Sequence, residues 1–154
     1  MKYIITEGKF DSYIISNLFK NEIQNTSWMV VPIGGGISEA VSLAESLAYR
    51  HKDGSILLIV DSGDDIDDNN DNVYRIKSRL DKYKNIKIVF SSPNIENEII
   101  DIIGYENMPK YLFGFGIKPM KDKFISYIKD ILPKGNYKIN ETPFYKNIKN
   151  ILCT

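Results

Sequence analysis

The sequence predicts an α/β fold with a mainly parallel central sheet of about four strands flanked by helices. Two observations carry this expectation. Short apolar runs alternate with segments of helical periodicity from residue 3 to about 104, the spacing of strand-helix-strand units with right-handed crossovers. One run, Ile56 to Val60, is apolar without interruption, as a parallel strand covered on both faces requires.

The elements follow in order. Residues 3 to 6, "YIIT", form the first buried strand and open into Glu7 and Gly8. Phe10, Ile14 and Leu18 then repeat at helical spacing over 10–20. "SWMVVPI" at 27–33 is the second strand, three glycines follow at 34–36, and a helix over 37–52 carries Ile37, Val41, Ala44, Leu47 and Ala48 on one side, with Ser38 as its expected cap. The run at 54–60 is the third strand and places Asp61 at its carboxyl end. A helix is expected over 72–83, a fourth strand over 86–92, a short helix over 94–104 ended by Gly104, and a last one over 121–132 stopped by Pro133. Residues 105–120 and 133–154 have weak periodicity and receive no regular element.

At 154 residues the chain has the length of one domain that buries about two thirds of its unfolded surface without disulfides or a structural metal. Its expected organisation is a single domain over 1–154, with a core at 1–104 and a helical extension at 105–154. Hydrophobic residues at 43% argue against disorder, and no apolar run approaches the roughly 18 residues of a membrane span. No leader-like segment opens the chain, and Cys153 is the single cysteine, so a cytoplasmic location is expected. The 20 basic and 20 acidic side chains cancel, which excludes a global field that would draw the protein onto nucleic acid or an anionic membrane. The distribution is uneven, with nine lysines against four acids from Tyr105 onward.

Chemistry is expected at the carboxyl edge of the strands. Glu7 follows the first strand, Asp61 ends the strongest one, and Asp64 and Asp65 lie in the loop beyond it. Carboxylates gathered there repel one another unless a cation neutralises them, and Mg²⁺, or Mn²⁺ in its place, is the hard divalent ion suited to oxygen ligands. Asp11, four residues after Glu7, falls one helical turn on and at the same end. Gly8 permits a sharp turn, and Lys9 beside it is placed for a phosphate. Against this stands a plainer reading, in which Glu-Gly is only a turn and "DSGDDIDDNNDN", with six aspartates in twelve positions, is a solvated loop. Gly34 to Gly36 match neither G-x-x-x-x-G-K-[ST] nor G-x-G-x-x-G and read as a flexible turn. His51 reads as a residue of a helix C-terminus, and the absence of a second histidine or a cysteine cluster argues against zinc.

"ITEGKFDSYIISNLF", "VVPIGGGISEA" and "ILLIVDSGDD" together resemble the Toprim domain, the catalytic module of topoisomerases, primases, OLD-family nucleases and related small proteins. The resemblance covers residues 1 to about 104, or to 132 at its longest, and implies a Rossmann-like Toprim fold. It implies Glu7 as metal ligand or general acid/base and Asp61 as metal ligand in a phosphodiester site. The "EGKFD" spacing is most similar to the OLD-type and stand-alone branch, in which an acid four positions after the glutamate also contributes, a place Asp11 takes. The chain departs from the family at the second acid of Asp-x-Asp, which falls at Gly63; either the loop presents Asp64 or that metal contact is lost. "SSPNIENEIIDIIG" resembles a later segment of small Toprim proteins and brings Glu96 and Glu98 toward the same edge, although acids at a helix start also suit the macrodipole. A lysine assisting at the phosphate corresponds to Lys118, Lys121 or Lys123.

The function expected from these readings is a Mg²⁺-dependent, phosphodiester-processing nuclease acting on DNA or RNA. The alternative is a degenerate Toprim subunit that docks on a larger protein, such as an ATPase of a mobile-element or phage-defence system.

Overall fold

Apolar alternation in the strands decides the architecture. In the computed structural model, which describes residues 1–63, 71–114 and 119–154, the four strands are β1 (Lys2–Thr6), β2 (Trp28–Val31), β3 (Ser55–Asp61) and β4 (Ile86–Ser91). They pair in parallel in the order β2-β1-β3-β4. Successive side chains point to opposite faces, so Ile4, Leu57, Ile59 and Val89 enter one core while Tyr3, Ile5, Ile56, Leu58 and Val60 enter the other. The expected α/β class and mainly parallel, Rossmann-like sheet are therefore observed, with every pairing parallel.

Seven α-helices are present among the described residues: α1 (Lys9–Leu18), α2 (Lys20–Thr26), α3 (Gly36–Arg50), α4 (Asp71–Leu80), α5 (Ile95–Ile103), α6 (Lys121–Lys134) and α7 (Pro143–Cys153). Helices α3 and α4 cover the Tyr3 face, with Ala40, Val41, Ala44, Ile76 and Leu80 buried. The opposite face takes α1, α5, α6 and α7, with Ile23 of α2 packed at its margin. No helix among the described residues is long and apolar enough to cross a membrane.

Several boundaries differ from those expected, each for a local reason. The helix beginning near Phe10 breaks at Phe19, which is fully buried and stacks on Tyr145 at 4.9 Å, and α2 then continues to Thr26. β2 ends at Val31 because Pro32 has no N–H to donate to the ladder. Ser38 does not cap α3, which starts two residues earlier at Gly36; the Gly36 N–H instead donates to the Glu7 carbonyl at 3.1 Å. Pro133 does not stop α6 but lies in its last turn, and the helix ends at the left-handed Gly135. A proline there frees the carbonyl four residues back, and that Lys129 carbonyl accepts from the Tyr13 hydroxyl at 3.1 Å.

Helix α7 lies where no element was assigned. Thr142 caps it by accepting from the Tyr145 N–H at 3.2 Å, and Pro143 occupies its first turn, a favoured start. Phe144, Ile148 and Leu152 form its buried stripe, and the Trp28 indole N–H donates to the Leu152 carbonyl at 3.0 Å. This end of the chain thus shares a core with β1 and α1. Ile148 is fully buried, so Ile148→Ala is expected to lower unfolding free energy by about 2 to 5 kcal/mol. Urea unfolding measures it; a loss below about 1 kcal/mol would mean that α7 contributes little to the core.

Candidate metal centre

The strand order places two acids side by side. The chain runs outward from β1 to β2 and then crosses to β3 on the other side, which makes the β1/β3 boundary the topological switch point where open α/β sheets bind ligands. Glu7 directly follows β1 and Asp61 ends β3, its pairing neighbour. Asp11 reaches the same place through a tight turn. Gly8 precedes α1 in an extended conformation, the Ser12 N–H donates to its carbonyl at 3.1 Å, and the Thr6 hydroxyl donates to the same carbonyl at 2.9 Å. Thr6 and Ser12 share a further buried hydroxyl contact of 2.6 Å, locking the first turn of α1 to the strand end.

One carboxylate oxygen from each of Glu7, Asp11 and Asp61 lies within 4.8 Å of the others, all three residues being partly buried. Opposite ligands of an octahedral Mg²⁺ lie about 4.2 Å apart, twice a bond of about 2.1 Å, and those of Ca²⁺ about 5 Å. Three ligands of one octahedral ion include at least two adjacent pairs, about 3 Å apart, so the three side chains would draw together to share one Mg²⁺. No lysine or arginine among the described residues forms an ion pair with them, so the donor set fits a divalent cation.

Electrostatics agree. Burial, with repulsion from Asp61, Glu96 and Glu7, pushes the Asp11 carboxyl up to about 7. Burial is also the main cause of the upward shifts of Glu7 and Asp61; the Asp61 charge adds to that of Glu7, whereas hydrogen bonds from Ser91 and Ile95 oppose that of Asp61. The remaining polar atoms fix orientation. Glu7 Oε1 accepts from the Asp61 N–H at 2.9 Å, and Asp61 Oδ1 accepts from the Ser91 hydroxyl at 2.5 Å and the Ile95 N–H at 3.2 Å. These bonds hold Glu7 and Asp61 in place, as outer-shell groups hold metal ligands.

Ser91 was not foreseen as part of this site. Its signal is the register of β4, which sets Ser91 opposite Asp61. The two glutamates of α5 separate. Glu96 faces the acidic group: its pKa is raised by burial and by Asp61, and the nearby Lys121 opposes the shift. Glu98 is buried and accepts from the Ser92 N–H at 3.3 Å, with Asp101 as its charged neighbour; it braces the turn after β4. Among the lysines, Lys121 and Lys123 are both exposed; Lys121 lies at helical spacing from buried Phe124 and Ile128, and Lys123 does not. Lys9 is exposed at the start of α1, and its Cε lies 3.4 Å from where a Gly34 side chain would begin.

Asp64, Asp65 and Lys118 lie outside the described residues. Gly63, at the second position of the Asp-x-Asp pattern, has φ of +89° and donates its N–H to the Pro93 carbonyl at 3.0 Å, a conformation that disfavours aspartate there. The triglycine turn does not look like a phosphate cradle: the Lys9 stem lies over Gly34, and the Glu39 carboxylate fills the space above Gly35. His51 ends α3 and lies 3.4 Å from the Tyr3 hydroxyl, at the opposite edge of the sheet. Compared with known proteins, the chain matches no family model, no curated protein and no solved structure.

Proposed function

We propose that this chain is a Mg²⁺-dependent, Toprim-type phosphodiester-processing protein, a nuclease acting on DNA or RNA. The observation that carries this reading is the convergence of Glu7, Asp11 and Asp61 at the β1/β3 switch point, on the residues where the chain resembles Toprim. These three side chains would hold the ion, Mg²⁺ or Mn²⁺. When bound, it supplies Lewis acidity, acidifying water and offsetting charge on phosphate oxygens. The Ser91 hydroxyl and Ile95 N–H hold Asp61 in place. Lys121, beside Glu96, and Lys9, at the start of α1, supply ammonium groups for the phosphate. Asp11, titrating near 7 without a cation, can carry a proton at neutral pH.

A second reading rests on Gly63, whose positive φ stands where the Toprim pattern has its second acid. In it the chain is a catalytically degenerate subunit that docks on a larger partner such as an ATPase. Incubation with single- and double-stranded DNA and RNA, in Mg²⁺, Mn²⁺ or EDTA, separates the two. The nuclease cleaves at least one substrate with metal and none in EDTA. Calorimetric Mn²⁺ binding without cleavage favours the degenerate subunit, and absence of both overturns the metal site itself.

A further inference from the structure

At the amino edge of the sheet, opposite the carboxylates, is a concave pocket of about 210 Å³. Lys2 and Ser55 open β1 and β3 and are register partners; Trp28 opens β2, and Lys87 is the second residue of β4. Lys84 and Thr154 complete the rim. Parallel strands lie about 4.8 Å apart, so Lys2 and Lys87, two strands apart, flank the start of β3 at a separation that their long side chains can span. The carboxylate centre lies beyond the seven residues of β3, about 20 Å away at a rise of about 3.3 Å per residue.

Lys2, Lys84 and Lys87 form no ion pair with any acid among the described residues. A plain reason for them would be to cap the C-terminus of α7, which also ends at this pocket. Its last carbonyls, however, already have donors: Leu152 accepts from the Trp28 indole, Ile151 from the Thr154 N–H and Asn150 from the Thr154 hydroxyl. The three ammonium charges exceed the roughly half charge of a helix end and leave the pocket cationic. Its small volume suits a small polyanion rather than a duplex or a helix.

We propose that this pocket binds a small phosphate-bearing anion of the pyrophosphate or nucleotide-phosphate class. Lys2, Lys84 and Lys87 supply point charges to its oxygens, and the Ser55 hydroxyl supplies a hydrogen bond. Trp28 is the only tryptophan in the chain, and Lys2 Nζ lies 5.7 Å from its ring centroid, so its fluorescence reports directly on the pocket. The test is titration of the full chain with pyrophosphate at constant ionic strength, in EDTA so that no divalent ion bridges to the carboxylates. A saturable change in Trp28 emission is expected. The double variant Lys2→Gln, Lys87→Gln, checked for folding by circular dichroism, should bind at least 10-fold more weakly, and Lys2→Arg with Lys87→Arg should restore binding. A linear, unsaturable response, or equal affinity in wild type and the glutamine variant, overturns the proposal. So does tighter binding of an unphosphorylated oligonucleotide than of pyrophosphate, which would assign the pocket to nucleic acid.

Discussion

Glu7→Gln is expected to lower Mg²⁺-dependent cleavage by at least about 100-fold while the metal-free protein unfolds at or above the wild-type temperature. The two halves of this result have separate causes. Structurally, Glu7 acts through Oε1, which accepts the Asp61 N–H at 2.9 Å, and the carbonyl oxygen of glutamine can accept the same bond. Chemically, the amide loses the negative charge that a cation needs and the proton affinity that acid/base work needs. Burial and the Asp61 charge disfavour ionised Glu7, so removing its charge relieves repulsion rather than breaking a favourable pair. Initial cleavage rates, Mn²⁺ calorimetry and thermal unfolding in EDTA check all three consequences. Wild-type cleavage by the variant would place the chemistry elsewhere; a large fall in unfolding temperature would make Glu7 a structural residue first.

How much of this site was legible beforehand depends on whether each position is set by local pattern or by tertiary packing. Ile56 to Val60 reads as a covered strand, and that reading put Asp61 at a strand end. That β1 pairs with β3 rather than lying apart from it is a matter of sheet order, which no local periodicity carries. Asp11 was reachable by helical spacing from Glu7. Glu96 and Glu98, two residues apart, could be told apart only once the start of α5 was known: Asn94 caps it by accepting from the Asn97 N–H, and the helix then turns Glu96 to the acids and Glu98 to Ser92. Helix α7 was legible in principle, since Phe144, Ile148 and Leu152 recur every four residues behind Thr142 and Pro143. The many lysines and asparagines between them blurred the pattern. The break at Phe19 was not legible, because only Tyr145, 126 positions later in the sequence, explains why that ring is buried.

The same electrostatics predict a trade between stability and metal affinity at Asp11. Its carboxyl titrates near 7 in the folded, metal-free protein against 3.8 ordinarily, so the folded state binds the proton more tightly than the unfolded chain does. That contribution to stability is fully present below about 3.8 and is lost as pH rises through about 7. Raised values for Glu7, Asp61 and Glu96 act in the same direction. For Asp11 the difference corresponds to at most about 4 kcal/mol, which screening at this partly exposed edge reduces to about 1 to 2 kcal/mol. Asp11→Asn removes the charge and keeps the shape. In EDTA at pH 8 the variant should therefore unfold about 2 to 8 °C above wild type, and the gap should narrow toward pH 5 and close only below about 3.8, where Asp11 is protonated in the folded and unfolded chain alike. Adding Mg²⁺ at pH 8 should reverse the order, because the ion stabilises wild type by mass action and binds the variant weakly. Differential scanning calorimetry at pH 5, 6, 7 and 8, with EDTA and with Mg²⁺, reads the narrowing and the reversal. A variant less stable than wild type in EDTA at pH 8 would mean that Asp11 is held by favourable contacts, and the carboxylate group would then be a polar turn rather than a site that gives up stability to bind a cation.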